Sequence, residues 1–264
     1  MLPLVERIQK LRAHLRRKGP RRTLLIAFRK CLDMVSSWLW DVRHEVETRR
    51  TVALSSLGIE GEYSSSGPMF IKRLNRLKLN WSRFVFIDLG CGKGKVLLMA
   101  AQFPFRQIVG VEFAPELAEL ARKNVTTYRG LAQVRQRVEV RTEDAADYEF
   151  PLSPLVIYCF NPFSERVMRA ALSNLERSLW QHWRETYLIY ANPVLESVVA
   201  EYTFLQLIDT ADNHRSYRCS IGNRPMKNGS ALFHDQCTAA VQPQIPVSAN
   251  PPLQVELTPP PLLA

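Results

Sequence analysis

Three glycines spaced two apart follow an apolar run that ends in an acid: Phe84–Lys95 reads FVFIDLGCGKGK, with Asp88, Gly90, Gly92 and Gly94 in register. A short buried run, a tight turn and a helical pattern from about Lys95 describe a strand, a glycine turn and a helix start. That is the place in an α/β sheet where a nucleotide-like ligand is held. Glycine is required where φ is positive or where a ligand comes closer than a Cβ allows, and three glycines in five residues imply both demands.

Asp88 closes the strand beside the turn. A carboxylate there suits hydroxyls or a cationic amine and repels a pyrophosphate. The dinucleotide fingerprint also needs glycine at its first, third and sixth positions, and counting from Gly90 the sixth is Lys95. NAD and FAD are therefore disfavoured.

The text beyond the turn repeats the strand-then-acid arrangement. QIVGVEF ends in Glu112, RVEVRTEDAAD carries Asp144 and Ala145, and PLVIYCFNPF ends in Asn161, Pro162 and Phe163. In this order and spacing the stretches resemble the class I S-adenosylmethionine (SAM)-dependent methyltransferases, over roughly residues 45 to 222. The F-x-D-L-G-x-G-K-G and N-P-F stretches, with Pro104-Phe105 and Gly110–Glu112, are similar to a poorly characterised bacterial group of that class.

The resemblance implies a Rossmann-like sheet of seven strands, mainly parallel with the last strand antiparallel. It places the cofactor on Asp88, Gly90, Cys91, Gly92 and Gly94. Glu112 then takes the ribose hydroxyls, and Asp144 with Ala145 the adenine edge. Asn161, Pro162 and Phe163 resemble the (Asp/Asn)-Pro-Pro-(Tyr/Phe) motif of amino methyltransferases, one proline short. There the asparagine oxygen and a proline carbonyl direct the acceptor nitrogen's lone pair at the methyl, and Asn161 also borders the cofactor. A weaker likeness to seven-strand protein-lysine methyltransferases also points to nitrogen. A strand-ending turn with Asn161 as a cap is the plainer reading of the same residues.

The chain order supports an α/β domain. Helices are expected at Met69–Leu79, Lys95–Gln102, Pro115–Asn124, Ser164–Trp183 and Val194–Tyr202, and a fifth strand at Thr186–Ala191. Phe204–Asp209 and Ser216–Ile221 read as a closing hairpin across Thr210–Arg215. Tyr158 and Cys159 alternate across the sheet, Trp180 and Trp183 read as core or edge packing, and Lys93 and Lys95 near a helix start oppose its dipole. Ahead of the first strand, Tyr63 and the serines after it read as a helix cap or as part of a cover over the cofactor.

Charge is concentrated at one end. Residues 1–30 hold ten lysines and arginines against Glu6 alone, so nine of the ten net positive charges lie there. Such an arm attracts an anionic partner: RNA, anionic lipid or an acidic protein. Residues 1–50 read as helices on both sides of Gly19-Pro20, with Leu24, Ile26, Phe28, Leu32, Val35, Trp38 and Leu39 as an apolar face. Packing on the domain is the plainer reading of that face, and interfacial membrane binding and nucleic-acid or ribosome contact are the others. Leu24–Trp40 is too charged for a signal sequence or a span, so a cytoplasmic protein, peripheral to the membrane in the second reading, is expected.

Cys31, Cys91, Cys159, Cys219 and Cys237 lack paired spacing, and His182, His214 and His234, read as surface or loop residues, lack ligand spacing, so neither a disulfide framework nor a metal is expected. A proline-rich run from about residue 225 reads as a disordered tail. The resulting division is a basic helical extension at 1–50, a methyltransferase domain at 51–224 and a tail at 225–264. Methylation of nitrogen on a protein or other macromolecule is the leading expectation. Small-molecule N- or O-methylation and a SAM-binding scaffold without transfer are the alternatives.

Overall fold

Five parallel strands, four of them largely apolar, set the architecture. A strand buried on both faces needs no polar alternation, and β1 (Val85–Leu89), β2 (Gln107–Glu112), β4 (Leu155–Phe160) and β5 (Thr186–Ala191) are of this kind, with the more exposed β3 (Val138–Thr142) at the edge. The computed structural model describes residues 19–48, 69–129, 137–161, 163–211 and 213–220. The strand order is β3-β2-β1-β4-β5-β7-β6, where β6 is Leu205–Ala211 and β7 is His214–Cys219. β1 to β5 pair in parallel, and β7 runs antiparallel to both β5 and β6.

The sheet is therefore the expected seven-stranded, mainly parallel one with its last strand reversed. From β1 the chain proceeds through β2 and β3 to one side, then returns to place β4 and β5 on the other. The reversal opens a crevice between the carboxyl ends of β1 and β4, the location at which such sheets bind ligands.

Period-two alternation divides the core into two layers. Phe86, Ile108, Tyr158 and Ile189 face one layer, which also holds Leu97 and Leu98 of α3 (Lys95–Ala100) and Ala121 and Val125 of α4 (Pro115–Thr127). Ile87, Val109, Cys159 and Tyr190 face the other, against Met168, Leu172, Leu175 and Leu179 of α5 (Glu165–Gln181). Tyr158 and Cys159 thus point to opposite faces. Arg184 stops α5 by donating to the Ser178 and His182 carbonyls at 3.0 and 2.7 Å, satisfying acceptors that a helix end leaves open.

Several local expectations are corrected. α2 runs Met69–Leu77, because Lys78 turns left-handed at φ 49°. Only Glu196–Val199 is α-helical, as α6, within Val194–Tyr202. The closing hairpin is tighter, because β6 extends to Ala211 and β7 begins at His214, which makes His214 a buried strand residue; His182 is exposed. Trp180 and Trp183 are exposed rather than packed.

The N-terminal helix α1 (Pro20–His44) begins at Pro20, whose lost N–H costs nothing in a first turn, and ends in left-handed Glu45. It attaches to the domain by its polar side. Asp41 accepts the Thr48 N–H and hydroxyl at 2.9 and 2.7 Å and meets Lys95 Nζ at 3.3 Å, and Lys95 also lies 5.0 Å over the Trp40 ring. The apolar face points outward, the reverse of packing that face on the domain. The first helix expected before Gly19, the Tyr63 segment and the tail lie outside the described residues.

Candidate active site

The glycine turn is shaped by its backbone. Gly90, Gly92 and Gly94 sit at φ 79°, 52° and 79°, where any Cβ is strained. Gly90 and Cys91 both donate to the Val111 carbonyl, at 2.8 and 3.0 Å, which ties the turn to the end of β2. At Gly94 a Cβ would stand 3.2 Å from the Ala121 Cβ, so the third glycine lets α3 approach α4.

A fourth glycine matters as much. A Cβ at Gly110 on β2 would meet Leu97 Cδ1 at 2.5 Å and Cys91 Sγ at 2.7 Å. The Cys91 side chain is thus tucked over Gly110, leaving its backbone at the turn. Its thiol is pushed well up, first by burial and then by the charges of Asp88 and Glu112, and so remains protonated.

Glu112 ends β2 beneath the turn. Its Oε2 accepts the Gly92 N–H at 2.8 Å and its Oε1 the Ala114 N–H at 3.0 Å. Burial raises its pKa against those donors, and Asp88 is raised well above its ordinary range by burial first and by Glu112 second. Two buried carboxylates therefore converge on one turn and repel each other. A cationic, hydroxyl-bearing ligand relieves that arrangement, and a pyrophosphate worsens it.

Asp144 follows β3, where its Oδ1 accepts the Ala146 N–H at 2.9 Å. The Glu143 N–H donates to the Glu112 carbonyl at 3.1 Å, which fixes this turn beside the end of β2; Ala145 is buried in the core. Phe113, next to Glu112, is 59% exposed and offers an apolar ring face that the sequence reading passed over.

Asn161 stands past the end of β4, across the crevice, in the left-handed region at φ 41°. The Tyr190 hydroxyl donates to Asn161 Oδ1 at 3.0 Å and accepts the Leu195 N–H at 3.1 Å. Tyr190 was missed in the sequence because it reads as one more apolar strand residue. Phe163 is half-buried against the α5 layer, and Pro162 lies outside the described residues.

Lys93 and Lys95 are both buried. Lys93 is 1% exposed, with Nζ 3.0 and 2.9 Å from the two oxygens of Glu47. Asn124 joins the same region: its Nδ2 donates to the Lys93 and Glu47 carbonyls at 2.9 and 3.0 Å, and its Oδ1 accepts the Glu47 N–H at 3.0 Å. The glycine turn is thus braced from outside by residues 41–48.

Residues 86–182 match the family described as a methyltransferase domain. The match covers a little over a third of the chain, including the glycine turn and β2 to β4, and with the sheet order it supports a SAM-dependent methyltransferase. Among curated proteins, the release factor glutamine methyltransferase of Vibrio cholerae is 41% identical over 59 residues, which is 21% of each chain. The match thus spans about a fifth of that relative's length. Similar solved structures include an RNA methyltransferase from Salinibacter ruber in complex with S-adenosyl-L-homocysteine, with a TM-score of 0.45 at 19% identity over 63% of this chain and 98% of that one. Another is a SAM-dependent methyltransferase from Methanococcus maripaludis described as putative, with a TM-score of 0.46 at 18% identity over 60% and 86%.

The residues present fit this donor. Asp88 and Glu112 are carboxylates that would answer its positive charge and hydroxyls, and the three turn glycines carry no Cβ that would keep it away.

Proposed function

We propose that the protein transfers the methyl group of SAM to a nitrogen of a protein or other macromolecular acceptor, with Asn161 aligning that nitrogen. The observation that carries this reading is the held amide of Asn161 at the β1/β4 crevice, its Oδ1 3.0 Å from the Tyr190 hydroxyl. The partial match to a protein named as a glutamine methyltransferase supports nitrogen of a side-chain amide as the chemistry.

SAM supplies a methyl already activated by its sulfonium, so the chain needs to bind, orient and exclude competitors. The turn, Glu112 and Asp88 hold the donor; Asp144 and Ala145 border its base. Asn161 Oδ1 has two acceptor directions, and Tyr190 takes one. The second accepts an N–H of the incoming group, which turns the nitrogen lone pair toward the crevice. A neutral amide orients without taking the proton, which leaves to solvent after transfer. Phe163 is the aromatic residue on the acceptor side of this proposal.

The test is transfer of labelled methyl from SAM to macromolecules of a cell extract, followed by identification of the labelled atom. Label on nitrogen, lost in Asn161→Ala while S-adenosylhomocysteine still binds, is the expected result. Full turnover in Asn161→Ala, or label on oxygen, overturns it. Transfer only to small molecules, unaffected by deletion of residues 1–30, identifies a small-molecule enzyme, and cofactor binding without any transfer identifies a scaffold.

A further inference from the structure

α1 is 25 residues long, about 37 Å at 1.5 Å per residue, and its outward face is apolar along almost its whole length. Leu24, Phe28, Val35, Trp38 and Val42 follow the three-and-four spacing of one helix face, and Leu25, Leu32 and Leu39 widen it by one residue per heptad. All eight are exposed, from 47% for Val35 and Trp38 to 72% for Leu24. A face of this size on a folded protein marks an interaction surface. The helix is meanwhile held by its other side, through Asp41, Ser37 and Trp40 on Lys95, so the apolar face is presented by a fixed element.

Charge selects the occupant. Residues 1–30 carry nine of the chain's ten net positive charges, and Arg21 is exposed at the start of the same helix. A second copy of the chain, laid parallel, brings two such arms together. Laid antiparallel, it leaves each arm without counter-charge. An anionic bilayer surface accepts the apolar side chains at the acyl boundary and the arm among its headgroups in one contact. The helix lies on such a surface rather than crossing it, because among the described residues no helix is long and apolar enough to span.

We infer that the outward face of α1 docks the protein on anionic lipid, with the basic arm supplying the electrostatic part of the attraction. Since α1 is joined to the start of α3 through Asp41 and Lys95, docking seats the glycine turn close to that surface.

The experiment is co-sedimentation of the full chain with vesicles of phosphatidylcholine alone and of phosphatidylcholine mixed with phosphatidylglycerol. Alongside it run the triple variant Leu25→Glu, Leu32→Glu, Leu39→Glu and a light-scattering mass in solution. The expected result is binding to the anionic vesicles, weakened by salt and reduced about tenfold or more in the variant, whose Tm stays that of the parent. No binding to anionic vesicles overturns the inference. Undiminished binding by the variant also overturns it, because charge alone then suffices. A solution dimer of twice 30.3 kDa that the variant abolishes assigns the face to a second copy instead.

Discussion

The Tyr190 hydroxyl donates to Asn161 Oδ1 at 3.0 Å and itself accepts the Leu195 N–H at 3.1 Å. One phenol at the end of β5 therefore sets the amide at the end of β4 and anchors the start of α6. Asn161 is left-handed, a conformation asparagine tolerates better than most residues but one that packing must still hold.

Tyr190→Phe removes this link while keeping the ring. The Leu195 N–H loses its partner, at a cost of about 1–3 kcal/mol if no water replaces it. Turnover is expected to fall about tenfold or more with little change in KM for the donor, measured as labelled-methyl transfer under saturating acceptor. Asn161→Ala lowers turnover further. Equal kcat in Tyr190→Phe and the parent excludes a positioning role for the phenol.

Asp88 gives a pH dependence with a definite sign. Its folded pKa is raised, so the folded chain holds that proton more tightly than the unfolded chain. The associated stability is present below the ordinary aspartate range, about pH 4, and is lost as pH rises toward the raised value. Asp88→Asn is therefore expected to be more stable than the parent at pH 8, with the difference shrinking toward pH 4. The same variant binds S-adenosylhomocysteine more weakly by calorimetry. A stability difference that grows toward acid contradicts this account.

Gly110→Ala forces a methyl against Leu97 and Cys91. Overpacking of this kind costs about 1–3 kcal/mol, and it is expected to weaken cofactor binding because Cys91 belongs to the turn. Urea unfolding measures the first effect. Adding Cys91→Ala recovers part of the loss, since one of the two close contacts is with the sulfur.

Lys93 and Glu47 are unequal partners, the lysine 1% and the glutamate 51% exposed. Glu47→Ala leaves an ammonium in the interior, whereas Lys93→Met fills the same space with an apolar chain. Glu47→Ala is expected to be the more destabilising, by about 1–3 kcal/mol at pH 7, with Lys93→Met closer to the parent. Thermal unfolding of both variants decides the order, and Lys93→Met as the worse of the two refutes the pairing's assumed role.

The strand, the glycine turn and the acids near the ends of β1 and β2 were legible in the chain because their causes are local. Apolar runs of five or six residues specify β1, β2, β4 and β5. Positive φ demands glycine at 90, 92 and 94, and the acid at each strand end follows at a readable spacing. Tertiary structure decided what no local pattern encodes. Lys93 and Lys95 resemble any charged helix start until Glu47 and Asp41, some fifty residues earlier, are brought against them. Gly110 looks like a weak point in a strand until Leu97 and Cys91 close over it. Tyr190 is one apolar strand residue among six until its hydroxyl reaches Asn161. The helical period of α1 announces an apolar face, but which side meets the domain depended on ion pairs across the fold, and they turned that face outward. Local propensity is written in neighbouring residues, whereas burial and pairing depend on partners that only the folded sheet brings together.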